Sequence, residues 1–355
     1  MTTTPTTTPT TPTTPTTPTT PTTPTTTTTP TGIPATLQLG GLTLQSPFLL
    51  APLEGVSDAG FRRLCFEQGA GLTWTEMIRA RGLAKRNKST LDLVDTFDAD
   101  VPTGIQLLTT APNELLDALG VIEDLAATTH PHFKNICAVD LNFGCPSKDI
   151  VQIGAGPAML KRRGRMQSIL QALATWKTTT TLPVKAVSCK LRLGMNAREA
   201  EHQVFLPIVE AASGVGLDFI TIHARHAGMR SRDPAVWSAI GAAKRVSSIP
   251  VIGNGDVTCR ADAERLRQQS GCDGFLIARA AINSPFVFRE LRGRGSLLPT
   301  VDEVQRERTR YEETAEALQT KEKYRIAHAD GFARLLRIAR GEVGGAVMVP
   351  KNSHM

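Results

Sequence analysis

Residues 139–160, reading VDLNFGCPSKDIVQIGAGPAML, are the stretch best suited to chemistry. An apolar strand pattern breaks at Gly144-Cys145-Pro146, and a helical pattern resumes near Pro157. A thiol held in a Gly/Pro loop just past the C-terminal end of a strand is presented at a mouth, where a substrate can reach it. Cys145 has three roles open to it: nucleophile, metal ligand or proton donor. No grouping of His and Cys has metal-ligand spacing, so no metal is expected. A thiol with a pKa near ~8.5 is mostly protonated at neutral pH and can serve as a general acid unless its neighbours depress that value.

Other chemistry-bearing side chains collect at the ends of apolar runs: Glu54, Glu76, Gln106, Asn142, Lys190 with Arg192, His223 with Arg225, Asn254-Gly255-Asp256, and Arg279. The runs are the strands that must position them, at residues 47–52, 71–77, 103–108, 136–142, 184–193, 218–224, 250–255 and 274–279. Helical patterns follow at 58–68, 113–128, 158–177, 197–213, 234–246, 261–269 and 281–292, while 79–94 is polar and irregular. Eight strands, nearly all followed by a helix, predict an α/β chain of the (β/α)8 or TIM barrel class. Its active site should lie at the C-terminal ends of the strands. An open doubly wound sheet is the alternative, but the first strand is not followed by a G-x-G-x-x-G turn.

Strand alternation sharpens this reading. Ala186, Ser188, Lys190 and Arg192 share one face of the fifth strand, so a small-residue interior gives way to cations at the mouth. The small residues of Gly253-Asn254-Gly255-Asp256 and Ala278-Arg279-Ala280, after strands seven and eight, suit a phosphate site built from backbone N–H groups. Above it, Lys190 and His223 could stabilise the reduced anion of a flavin ring. A plainer reading pairs Lys190 with Asp140 or Glu76 and makes His223 a satisfied core histidine; convergence on one rim favours the binding site.

The chain has 355 residues and a formal charge of +7, which suits an anionic partner but is shared by many solvated basic surfaces. Residues 1–36 are a Thr/Pro-rich tail expected to be disordered, 37–292 form the barrel behind a short hairpin at Gly40-Gly41, and 293–355 form a helical appendage. Within the appendage, residues 324–340 place Phe332, Leu335, Leu336 and Ala339 on one side and Arg334, Arg337 and Arg340 on the other. Six scattered cysteines argue against a disulfide scaffold and for a reducing, cytoplasmic setting. No run is apolar enough for a membrane span, and no signal peptide is expected. A monomer is the expected form.

Taken together, residues 48–291 resemble the tRNA-dihydrouridine synthases, flavin enzymes that reduce a uridine of tRNA. The resemblance rests on APLEGVSDAGFRRLC at 51–65, TEM at 75–77, GIQLL at 104–108, VDLNFGCPSK at 139–148 with GAG at 154–156, KLRLG at 190–194, TIHAR at 221–225 and PVIGNGD at 250–256. APLEGV and GCPSK lean towards the bacterial C-type branch. The resemblance implies FMN across the mouth, contacted by Ala51, Pro52, Gln106, Lys190, His223, Asn254, Gly255, Ala278 and Arg279. It further implies that NADPH reduces the flavin, that hydride passes to carbon 6 of uracil, and that Cys145 protonates carbon 5 while Asn142 holds the base. Since the base must leave its stack, Arg192, Arg225 and the basic side of the terminal helices are expected to meet tRNA phosphates.

The chain departs from the family pattern at Ala278, where glycine is usual, at Leu53, where Met is usual, and in a shorter C-terminal part ending MVPKNSHM. If the first of these positions requires a positive φ, Ala278 would weaken the phosphate grip. Two other functions fit parts of the pattern: a dihydroorotate-dehydrogenase-like flavin oxidoreductase of a free pyrimidine, and a non-catalytic RNA-binding barrel.

Overall fold

The computed structural model describes residues 1–2, 32–296 and 298–343. The expected disordered tail lies almost wholly outside the described residues, as does MVPKNSHM. The chain opens on the predicted hairpin, β1 (Leu37–Leu39) and β2 (Leu42–Leu44). Its turn needs glycine: Gly40 has φ +56°, and a Cβ there would lie 2.4 Å from the Asp218 carboxylate. The Gly41 N–H donates to Lys185 O at 2.9 Å, which seats the hairpin under the N-terminal ends of the strands that follow.

Those strands are β3 (Phe48–Leu50), β4 (Thr73–Arg79), β5 (Thr103–Leu108), β6 (Ile136–Phe143), β7 (Ala186–Arg192), β8 (Phe219–His223), β9 (Val251–Asn254) and β10 (Gly274–Ile277). They match the eight expected runs and pair in parallel in the order β3-β10-β9-β8-β7-β6-β5-β4. The ring closes where Leu49 bridges Leu72 and the Leu50 N–H donates to Leu72 O at 2.9 Å. Parallel neighbours require crossovers, and helices Ala59–Glu67, Pro112–Ala127, Arg163–Thr179, Leu206–Gly214, Trp237–Val246 and Arg260–Ser270 supply them. With both sheet faces covered, the strands are buried almost throughout, and Phe48 stacks on Phe275 across β3 and β10 at 5.2 Å.

Three links differ from the expected pattern. The polar stretch after β4 contains two short helices, Ala80–Ala84 and Lys88–Leu91, the second capped by Asn87. The helix expected at 197–213 breaks into Ala197–Glu201 and Leu206–Gly214 around Gln203, which adopts φ +49°. That expected at 281–292 breaks into Arg279–Asn283 and Val287–Leu291, because Pro285 lacks an N–H and pushes Ser284 out of helical geometry (φ −160°, ψ 113°).

The terminal helices Val301–Ala317 and Glu322–Ala339 pack into the barrel's own core through Val304, Tyr311, Ala315, Phe332 and Leu335. Polar contacts fix the docking. His328 Nε2 lies 2.7 Å from Asp58 Oδ2 and its ring stacks on Phe61, while the Tyr324 hydroxyl donates to buried Glu76. Asp58 is also the cap of helix Ala59–Glu67, accepting from the Gly60 N–H at 3.0 Å. The basic side of the last helix is only partly outward, since Arg334 donates to Asn283 O on the barrel at 2.9 Å.

Candidate active site

The Cys145 loop is held from below by a line of buried polar side chains on adjacent strands. Asn142, near the end of β6, accepts at Oδ1 from the N–H groups of Gly144 (3.0 Å) and Cys145 (2.8 Å). Its Nδ2 donates to Gln106 Oε1 on β5 at 2.8 Å, and Gln106 Nε2 donates to Asp140 Oδ2 at 2.8 Å. Ser188 on β7 donates to the other Asp140 oxygen at 2.6 Å. An ionised carboxylate only accepts, so Asp140 sets the direction of every donor in the line up to the cysteine loop. Burial pushes the Asp140 carboxyl up to about 6, against the pull of its Ser188 and Gln106 hydrogen bonds.

Glycine-specific packing completes the loop. Gly156 has φ +57°, and a Cβ on it would lie 2.5 Å from Cys145 O, so the GAG segment backs directly onto the cysteine. The thiol is part-exposed and sits 3.0 Å from the Ser147 hydroxyl. All six cysteines are free, and no cluster that could hold a metal ion occurs among the described residues.

Beside Asn142 in the β6–β7 register stands Lys190. The ion pair with Asp140 or Glu76 does not form: Asp140 is taken by Ser188 and Gln106, and Glu76 by Tyr324. Among the described residues Lys190 has no hydrogen bond or ion pair, and burial, with repulsion from Arg192, brings its ammonium down to about 8. Arg192 lies opposite His223 in the next pair, and His223 opposite Asn254. Burial, then the nearby Arg192, Lys190, Arg225 and Arg279, hold the His223 imidazole well below its usual range, so it is neutral. Its Nε2 lies 3.4 Å from Arg225 Nη1; a guanidinium only donates, which leaves the ring proton on Nδ1.

The arginines divide between loop and strut. Arg192 Nε donates to Gly144 O at 2.7 Å, so it too clamps the cysteine loop. Arg225, only 3% exposed, reaches both Asp256 oxygens at 2.6 Å and Asp233 O at 2.7 Å. Asp256, which the sequence showed only as part of a loop, also accepts from Arg279 at 2.8 Å and from the Ala235 N–H at 2.8 Å. It therefore ties together the ends of β8, β9 and β10.

The expected cofactor contacts line the same rim. Ala51 follows β3 and donates its N–H to Ile277 O at 2.8 Å, with Pro52 next to it. Asn254 Nδ2 holds Leu276 O at 2.8 Å, and Gly255 has φ +130° with no room for a Cβ, which would meet Ala235 at 2.9 Å. Ala278 adopts φ −117°, so the position requires no positive φ. The rim thus offers a cation, Lys190, whose side chain has no partner among the described residues, a neutral imidazole and a glycine-tight loop, a set that fits an anionic, phosphate-bearing aromatic cofactor.

Comparison with known proteins gives a consistent result. The family described as Dihydrouridine synthase (Dus) matches residues 49–342. The chain is 34% identical over 244 residues to a probable tRNA-dihydrouridine synthase of Aquifex aeolicus, covering 69% of this chain and 72% of that one. It is 32% identical over 267 residues to tRNA-dihydrouridine synthase B of Escherichia coli, covering 74% and 77%. The expected C-type lean has no counterpart in these two relatives, the lettered one being B. In fold alone, the chain resembles morphinone reductase in complex with tetrahydroNAD (TM-score 0.52, 13% identity, 74% of this chain and 91% of that one). It also resembles histamine dehydrogenase from Rhizobium sp. 4-9 (TM-score 0.50, 16% identity, 73% of this chain), of which it spans 47%.

Proposed function

Because the chain belongs to the dihydrouridine synthase family, we propose that it reduces a uridine of tRNA to 5,6-dihydrouridine, using FMN at the barrel mouth and NADPH as electron donor. The observation that carries this reading is the pairing of a clamped, part-exposed thiol with an unpaired, half-buried cation on the neighbouring strand. FMN, when bound, would supply hydride to carbon 6 of the uracil.

The chain's own residues supply the rest. Cys145 gives its proton to carbon 5, which completes the addition of two hydrogens across the double bond and leaves a thiolate. Ser147 can donate to that sulfur, and the charges of Lys190 and Arg192 stabilise it. Asn142 keeps one N–H free of its contacts with Gln106 and the loop, enough for one hydrogen bond to a uracil carbonyl. Lys190 and His223 would hold the flavin ring, Asn254, Gly255, Ala278 and Arg279 its phosphate, and Ala51, Pro52 and Gln106 would contact the cofactor as well. Arg225 acts by giving the mouth a positive potential, because its N–H groups are largely engaged inside the protein, and Arg192 adds its charge there while its Nε holds the cysteine loop. The terminal helices extend the surface for tRNA, and free thiols suit a reducing, cytoplasmic setting.

The test is to incubate the flavin-loaded protein with NADPH and unmodified tRNA, then weigh the nucleosides. A gain of two hydrogens on uridine is expected. No gain, together with oxidation of dihydroorotate, would select a free-pyrimidine oxidoreductase; protein that binds tRNA but takes up no FMN would select the non-catalytic barrel.

A further inference from the structure

Residues 161–165, KRRGR, put four cations into five positions, and every one of them is exposed. The segment ends the turn Gly156–Lys161 and opens the helix Arg163–Thr179, where the chain returns from β6. This is the positive end of a helix, where anionic side chains are favoured and cations repelled. Cations are gathered there all the same, and no side chain caps the helix. Lys161 pairs with Glu199 at 3.3 Å; Arg162, Arg163 and Arg165 have no ion-pair partner among the described residues. Lys161 and Arg163 border a concavity of about 430 Å³ whose other walls are Leu160, Glu199 and Val204.

The place of this cluster matters as much as its charge. Arg162 lies against the catalytic loop, its Nη1 3.0 Å from where a Cβ on Gly154 would stand, and Gly156 backs onto Cys145. The terminal helices are anchored at Asp58, after β3, at Glu76 on β4 and at Asn283, after β10. In the ring of eight, β6 lies four places from β10, three from β3 and two from β4, so its loop stands beyond the arc of the mouth that the terminal helices border. A folded polyanion that delivers one residue to Cys145 therefore meets exposed cations at KRRGR, beside the cysteine loop, on an arc the terminal helices do not border.

Resting on the tRNA reading above, we infer that residues 161–165 form a second tRNA-backbone site, with Arg163 and Arg165 contacting phosphates on an arc of the mouth that the terminal helices do not border. Arg162 steadies the segment against the catalytic loop. The partner is RNA phosphate, read by charge rather than by base sequence.

The experiment uses the full flavin-loaded chain and the double variant Arg163→Gln/Arg165→Gln, which leaves Arg162 in place. The dissociation constant for unmodified tRNA is measured over a series of salt concentrations. Loss of two phosphate contacts should weaken binding and flatten the slope of log K against log salt by about 1.4–1.8, from ~0.7–0.9 per contact. Flavin content and NADPH-driven flavin reduction should stay at the native level, and the loss should appear in KM rather than kcat. Arg163→Lys/Arg165→Lys should keep the native slope, and Lys134→Gln, exposed before β6 at the opposite end of the barrel, should change nothing. A native protein that makes dihydrouridine while the Gln variant keeps its slope and affinity overturns the inference alone. A native protein that makes none overturns the functional reading, and this inference with it.

Discussion

Asn142→Asp tests the buried line beneath Cys145, because it exchanges the amide NH2, with both its donors, for an oxygen without changing size. The new carboxylate still accepts from Gly144 and Cys145, so the loop clamp is kept. Its other oxygen now faces Gln106 Oε1, where a 2.8 Å hydrogen bond stood. Turning the Gln106 amide over repairs that contact but sets its oxygen against Asp140 Oδ2, the present 2.8 Å acceptor. Without that turn a proton on the new carboxyl satisfies the line; with it, only a proton on Asp140 does. Burial already pushes that carboxyl up to about 6. The working form of the variant is the protonated one, present below about pH 6 and lost as pH rises. At pH 7.5 holding the proton costs about 2 kcal/mol, or ~30-fold, and the second carboxylate moves the midpoint further up without changing the sign. The native line suits an ionised Asp140 and carries no such limb. Single-turnover reduction of tRNA uridine should therefore show a variant-to-native ratio that falls by up to about tenfold per pH unit above the midpoint, at equal flavin content. A ratio that stays constant from acid to alkaline pH would refute the reasoning and leave Asn142 as a contact to the base alone.

Cys145→Ala should bind flavin and bleach with NADPH at the native rate yet form no dihydrouridine; product at the native rate removes the thiol as proton donor. Lys190→Met should impair flavin reduction. In the native protein that step should decline as pH rises through about 8, where the ammonium loses its charge, and the variant should lack this limb; stopped-flow absorbance at several pH values decides. Tyr324→Phe leaves the buried Glu76 carboxylate without its donor and should lower stability by about 1–3 kcal/mol, read from chemical denaturation. An unchanged midpoint would mean that the terminal helix is held by its apolar face alone.

Much of the barrel is legible in the sequence because each strand and its helix carry a local signature. Buried parallel strands read as apolar runs, and polar residues at their ends mark the mouth whatever the order of pairing. The hairpin at Gly40 follows from the same local chemistry. Breaks within the crossovers were less legible. Pro285 is visible as a stop, but Gln203 at φ +49° is a conformation that no residue type there announces. The Ala278 question shows the limit from the other side: a family glycine suggested a positive φ, and the backbone does not have one.

Alone, the sequence determined the (β/α)8 class, the thiol in its loop, and the side of the barrel where the cations gather, since all three follow from residue type and a period of two along each strand. Only the tertiary structure decided what each group touches. Lys190 is left unpaired because Ser188 and Gln106 reach Asp140 first, and Arg225 becomes a strut because the end of β9 carries Asp256 into its reach. His328 meets Asp58 across 270 residues of chain. Such pairings depend on register and on closure of the ring, which couple residues far apart in sequence and leave no local trace in it.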